Sequence, residues 1–151
     1  MKNRLAREDG FSLAEILITI VIISVTFTAI LGGLMTSITV SSLHRKEATA
    51  DALARDGGEW VKSSVRNPYS TTCAGSSMYT VSGLTVPSGY AVNIPTSGGV
   101  LFWNGTSSNP VSFGSACPAG GDKGLQKITI VATSTDGSAT ETVEVMKRSA
   151  P

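Results

Sequence analysis

Gly10-Phe11-Ser12-Leu13-Ala14-Glu15 opens an apolar run that continues to about residue 35. Glu15 is the only charged side chain between Asp9 and His44. An acidic side chain at mid-membrane costs about 2.5–3.5 kcal/mol on translocon-based scales. A carboxylate kept in such a run usually has a partner for its charge, the alternative near a helix end being that it reaches the headgroups and does nothing. The segment from 11 to 35 spans about 37 Å as a helix, enough to cross a bilayer with some tilt. A secretory signal has a shorter apolar core, about 7–15 residues, followed by a small-residue cleavage site. Thr26-Phe27-Thr28-Ala29 makes a poor site of that kind, and more apolar sequence follows it. The segment is expected to stay on the mature chain.

Ahead of the run, residues 1–10 are polar and basic, with Lys2, Arg4 and Arg7, and end in Gly10. Phe11 follows, then three residues, Glu15 and about twenty apolar residues. This register resembles the cleavage and methylation segment of type IV prepilins and of the pseudopilins of type II secretion and DNA-uptake systems. The likeness covers about thirty residues, a fifth of the chain. It implies that a membrane prepilin peptidase cuts between Gly10 and Phe11 and methylates the amine of Phe11. It further implies that Glu15 pairs with the Phe11 amine of a neighbouring subunit during assembly. Other pilin or pseudopilin subunits, a membrane platform protein and an assembly ATPase are the implied partners. Many major pilins carry a kinking proline where this chain has Gly32-Gly33, which leans toward a minor pilin or pseudopilin. Those glycines either interrupt the helix, at about 1 kcal/mol each relative to alanine, or serve packing.

Charge favours no nucleic-acid role. From His44 onward there are nine Lys/Arg and eight Asp/Glu, spread without a dense basic run. Nucleic-acid binding needs a concentrated basic surface to displace counterions. Lys2, Arg4 and Arg7 favour a cytoplasmic N-terminus, although Arg45 and Lys46 sit just past the other end of the apolar run. The two cysteines, Cys73 and Cys117, decide the orientation. An even count beyond a membrane helix suggests one disulfide in an oxidising compartment, with two buried free thiols as the alternative. Closing that loop is worth on the order of 4 kcal/mol in the chain-entropy model. The expected topology is a single-pass inner-membrane protein with its N-terminus in the cytoplasm and its head outside, and later an extracellular or periplasmic filament.

The periodicity predicts an α+β chain. One helix is expected to run from about 12 to 66. Its first part, 11–35, is apolar on nearly every side. Its second, 36–66, is amphipathic, with Ala50, Leu53, Ala54, Gly57, Gly58, Val61 and Val65 forming one stripe. Gly57 and Gly58 fall on that stripe, which marks them as positions of close approach rather than a helix end. Asn67-Pro68 is the predicted stop, since the residue before proline disfavours helix. Residues 67–151 then read as a small antiparallel β head. Strand candidates are 78–82, 90–94 and 100–103, separated by the turn signals Pro87-Ser88-Gly89 and Ser97-Gly98-Gly99. The strongest hairpin pairs 125–134 with 139–147, with Ile128, Ile130 and Ala132 on one face and Val143 and Val145 opposite them. Asp136-Gly137 supplies the positive-φ turn that a tight hairpin needs. Residues 104–124 read as a loop, and the resemblance implies that a disulfide-bounded loop of this kind faces partners.

Little else carries chemistry. One histidine, His44, and two distant cysteines do not make a four-ligand zinc site. A Ser-His-Asp triad would need His44 to serve a head it precedes. Residues 120–124, Gly-Gly-Asp-Lys-Gly, lack the spacing and Lys-Ser/Thr ending of a phosphate loop. Asn104-Gly105-Thr106 matches a glycosylation acceptor pattern, and such a match in a Gly/Asn/Thr-rich loop arises by chance. Asp122 is too few carboxylates for calcium. Trp60, Trp103, Tyr69, Tyr79 and Tyr90 read as core and interfacial side chains, with a binding face at Trp103 as the sharper alternative. No cofactor, metal or catalytic group is expected. The rival to a filament subunit is a membrane-anchored extracytoplasmic binding domain that never polymerises, with Glu15 incidental.

Overall fold

The computed structural model describes residues 12–105 and 111–149. Gly10, Phe11, the leader before them and Thr106 lie outside the described residues. The layout is α+β and pilin-like: one long N-terminal helix and a small antiparallel sheet. Helix α1 is Leu13–Lys62 and the strands are β1 Tyr90–Asn93, β2 Val100–Trp103, β3 Phe113–Gly114, β4 Leu125–Ser134 and β5 Thr140–Arg148. The chain divides into two units, Met1–Ser42 and Leu43–Pro151. The second holds the sheet and is called the head below.

In the head, β4 is the central strand. It pairs β5 along nearly its whole length, from Leu125↔Arg148 to Thr133↔Thr140. On its other side β1 takes the far end (Tyr90↔Ser134) and β2 the near end (Val100↔Ile128). β3 adds to β2 through Phe102↔Gly114 and Trp103↔Phe113. All pairings are antiparallel. The alternation in β4 sends Ile128, Ile130 and Ala132 to full burial, because residues two apart share a face.

The helix stripe meets that face. Ala50, Leu53, Ala54, Gly57, Gly58 and Val61 are all buried. The two glycines do not break the helix; they let the sheet come close. A Cβ on Gly57 would stand 2.9 Å from Ile130 Cγ2, and one on Gly58 3.0 Å from Val145 Cγ1. Around this contact the core divides into two groups. One is built on Val61, Tyr79, Val100, Phe102, Ile128, Ile130 and Val145. The other is built on Ala50, Leu53, Ala54, Ala132 and Ala139.

Three expectations need correction. The helix stops at Lys62 rather than near 66, because side chains take its last carbonyls. Lys147 Nζ donates to the carbonyls of Val61 (2.6 Å) and Lys62 (3.4 Å), and Asn67 Nδ2 donates to that of Trp60 (3.2 Å). Those oxygens would otherwise accept the next turn's N–H groups. Val65 consequently leaves the stripe and is 91% exposed. Residues 78–82 are not a strand: a 3-10 turn, Gly75–Met78, leads into irregular chain. Asn67 occupies the backbone there, accepting from Thr80 N–H (2.8 Å) and donating to the Thr80 carbonyl (3.0 Å). Within the presumed loop, Phe113–Gly114 is a short strand. The β4–β5 turn is as expected: Gly137 holds a positive φ of 71°, and four residues lie between Ser134 and Ala139, whose backbones bond at 2.9 Å.

Gly57→Val is expected to destabilise the head by about 1–3 kcal/mol, the usual cost of overpacking, seen as a lower thermal midpoint of the full chain in detergent. Gly33→Val is the control, since a Cβ there meets nothing within 4 Å. Equal losses in both variants contradict the close-approach account.

Candidate functional site: an acidic first turn on an apolar helix

The Ser12 carbonyl accepts the N–H groups of Glu15 (2.9 Å) and Ile16 (3.2 Å), so α1 begins here and Glu15 lies in its first turn. A carboxylate is favoured at that position, where unpaired N–H groups leave a partial positive charge. Glu15 makes no ion pair with any described residue; the described pairs begin at His44–Glu47. From Glu15 to Val40 the helix surface is uncovered. Leu17 is 58% exposed, Ile23 60%, Phe27 62% and Met35 73%.

This stretch has a mean hydropathy of 2.4 over its best window, and none of that window is buried. It is long and apolar enough to cross a membrane, and it fits a single-pass anchor. Soluble monomers rarely expose a contiguous apolar patch above about 300–600 Å². The hydroxyls embedded in the run do not spoil it. Thr19, Ser24, Thr26, Thr28, Thr36 and Thr39 each donate to the carbonyl four residues back, at 2.7–3.0 Å. Their polar groups are therefore satisfied within the helix. Gly32 and Gly33 stand in the helix without interrupting it, and a Cβ on either would meet nothing within 4 Å among the described residues.

In the head, Cys73 and Cys117 form the expected disulfide, with Cα atoms 5.6 Å apart. Beside it runs a polar chain that the sequence did not suggest. Tyr69 donates to Asp122 Oδ2, Gln126 Nε2 to Asp122 Oδ1 (3.2 Å) and to the Ser70 carbonyl (2.8 Å), and Tyr79 to Gln126 Oε1 (2.6 Å). Burial first, then the Asp122 carboxylate, pushes the Tyr69 hydroxyl well above the ordinary tyrosine value, so it stays a donor. Burial raises Tyr79 in the same direction. Gly124 N–H also donates to Asp122 Oδ2 (3.1 Å). With donors on both oxygens, Asp122 ties its loop to Tyr69 and to Gln126 of β4. Among the described residues no group of three or more His, Cys, Asp or Glu gathers as a metal site requires.

The remaining residues singled out from sequence are scattered. His44 Nδ1 lies 3.1 Å from Glu47 Oε2 on the same helix. Trp60 lies against Gly83, where a Cβ would meet its ring at 2.4 Å, and carries Arg66 over its face at 4.3 Å. Trp103 closes β2 half-buried. The buried Lys147 was missed, although the alternation of Val143 and Val145 continues to it and signals an inward side chain. Comparison with protein-family models, curated proteins and solved structures finds no match.

The β4–β5 turn is tied to the helix by Lys46, which bonds Asp136 and Ser138. The Lys46 ammonium, then the Ser138 and Ser134 hydroxyls, hold the Asp136 carboxyl well below its ordinary value of 3.8. A carboxyl whose value is lower in the folded state adds stability above the unfolded value and loses it as pH falls through the folded one. On acidification below about pH 4, the wild-type melting midpoint should therefore fall more steeply than that of Asp136→Asn. Parallel falls contradict this role.

Proposed function

We propose that this chain is a structural subunit of a type IV pilus-like filament, a minor pilin or pseudopilin rather than an enzyme. In this reading a prepilin peptidase removes residues 1–10 and methylates the new Phe11 amine. The subunit waits in the inner membrane, head outside, on the helix that begins at Leu13. The observation that carries the reading is an uncovered apolar helix whose only charge before His44 is Glu15, unpaired among the described residues, four positions after the Gly10-Phe11 junction.

The mechanism follows from charge and burial. An isolated carboxylate entering a helix-packed core loses water and needs compensation. The Phe11 amine of an incoming subunit supplies it when it meets Glu15 of the subunit added before. Apolar helices then cover one another's exposed surface, and the heads form the outside. Extraction from the bilayer needs work, which an ATPase and a membrane platform provide. The chain's own contribution is a charge pair, an apolar surface and a folded head.

Mass spectrometry of the mature protein is the direct test. A chain that begins at methylated Phe11 agrees with the reading; retention of Met1, or a start well beyond residue 25, favours the non-polymerising anchor. Glu15→Val should be cleaved normally yet fail to enter filaments, measured as its loss from the sheared filament fraction. Normal incorporation of that variant would rule out the pairing step.

A further inference from the structure

The sheet of the head has one long open edge. Among the described residues β5 pairs only with β4. The Ser134 N–H donates to the Ala139 carbonyl, which fixes the phase of the ladder. From there, backbone groups at 141, 143, 145 and 147 point to β4. Those of Thr140, Thr142, Glu144, Met146 and Arg148 point away. None of these outward groups has a backbone partner among the described residues. Natural edge strands are usually short, bulged, covered or charged; β5 carries Glu141, Glu144, Lys147 and Arg148, yet has nine residues in unbroken register.

A cleft of about 430 Å³ lies at the end of this edge. Its strand residues all come from β5 and none from β4. Lys62, Lys147 and Arg148 line it together with the apolar surfaces of Tyr69 and Met146, and no carboxylate among the described residues does. The three cations differ in availability. Lys147 is spent on the helix carbonyls and Lys62 pairs with Glu59 at 2.9 Å. Arg148 is exposed and forms no ion pair with a described residue. Met146, 53% exposed, offers an apolar contact at the same place.

We infer that the β5 edge and this cleft form one docking site for an extended peptide segment of a partner protein, carrying a carboxylate. The peptide adds a strand to β5 through the outward groups of Thr142, Glu144 and Met146. Its carboxylate lies against Arg148, and a neighbouring side chain rests on Met146. Main-chain pairing gives such a site affinity, and the cleft gives it selectivity. The inference is independent of the filament reading, since it uses only the head.

The test uses the full chain in detergent micelles and a dye-labelled heptapeptide of alternating threonine and valine with a free C-terminal carboxylate, followed by anisotropy. Saturable binding is expected. It should weaken about tenfold with an amidated, acid-free peptide and in Arg148→Gln, the size of one charge-assisted hydrogen bond. Glu144→Pro should abolish it, because proline removes an outward N–H and spares the ladder. Glu144→Thr, which keeps that N–H, should bind. An amidated peptide with an internal aspartate separates two supporting outcomes: binding equal to the free acid assigns a side-chain carboxylate, and binding equal to the acid-free peptide assigns the terminus. Binding indifferent to Glu144→Pro in a variant that keeps the wild-type melting midpoint overturns the inference. So does equal affinity for the acid-free peptide. A concentration-dependent dimer that Glu144→Pro dissolves, with no peptide binding, also overturns it, by making a second copy the occupant.

Discussion

The ammonium of Lys147 lies beneath the last turn of α1, and much of the head is arranged around it. The residue is only 6% exposed, and burial pulls its pKa below the ordinary lysine range. Two helix carbonyls and the Tyr79 ring, 5.3 Å from the nitrogen, replace the water it has lost. A cation at a helix C-terminus is favoured by the partial negative charge of the unpaired carbonyls. The same contact ends the helix and frees the chain at Ser63. It also turns the following segment toward Tyr69, Ser70 and Cys73. Because Lys147 belongs to β5, it fixes the helix end to the strand that forms the sheet's open edge.

The head has little apolar volume to work with, and its packing shows how that is offset. The helix presents Ala50, Ala54, Gly57 and Gly58 at the contact, so small side chains trade bulk for proximity. Ile130, Val143 and Val145 fill the space that a larger helix residue would take. Where the apolar layer ends, the Tyr69–Asp122–Gln126–Tyr79 chain and the disulfide take over. Buried polar groups stabilise only when their partners are present, and no buried side-chain N or O among the described residues lacks one. The network joins the segment after the helix, the loop before β4 and β4 itself, and the Cys73–Cys117 bond ties the first two of these.

What could be read from the sequence was whatever one repeat encodes. The helix stripe from Ala50 to Val61, the two glycines on it, β2 and β4 follow directly from periods of 3.6 and 2. So does the disulfide, from there being two cysteines in the head. Two of the failures involve a side chain acting as a substitute for backbone; the third, β3, is two residues long and too short to show a repeat. Residues 78–82 alternate like a strand, but the amide of Asn67 binds both polar groups of Thr80 as a neighbouring strand would. Val65 continues the stripe in sequence, yet the Lys147 ammonium and the Asn67 amide take the carbonyls needed for another turn. Such long-range captures leave no local signature. Glu15 stands out in the sequence as the one charge in the apolar run, and the structure places it in the first turn of α1. Gly10 and Phe11 rest on sequence alone, since they lie outside the described residues.

The apolar helix by itself does not distinguish a membrane anchor from a filament core. Its exposed leucines and isoleucines are covered equally well by lipid tails or by identical helices, and the hydroxyls bonded back to their own helix suit either. The difference lies in the carboxylate. In a bilayer, a first-turn Glu15 lies near the surface, where its charge reaches headgroups and water at small cost. In a helix-packed core the same group is dehydrated and calls for a cation. Among the described residues none stands near it in its own chain. The nearest candidate in sequence is the amine that cleavage at Gly10 would create, four residues upstream. An anchor has no use for such a cut, whereas a filament requires it, and this asymmetry is the physical basis for preferring the filament.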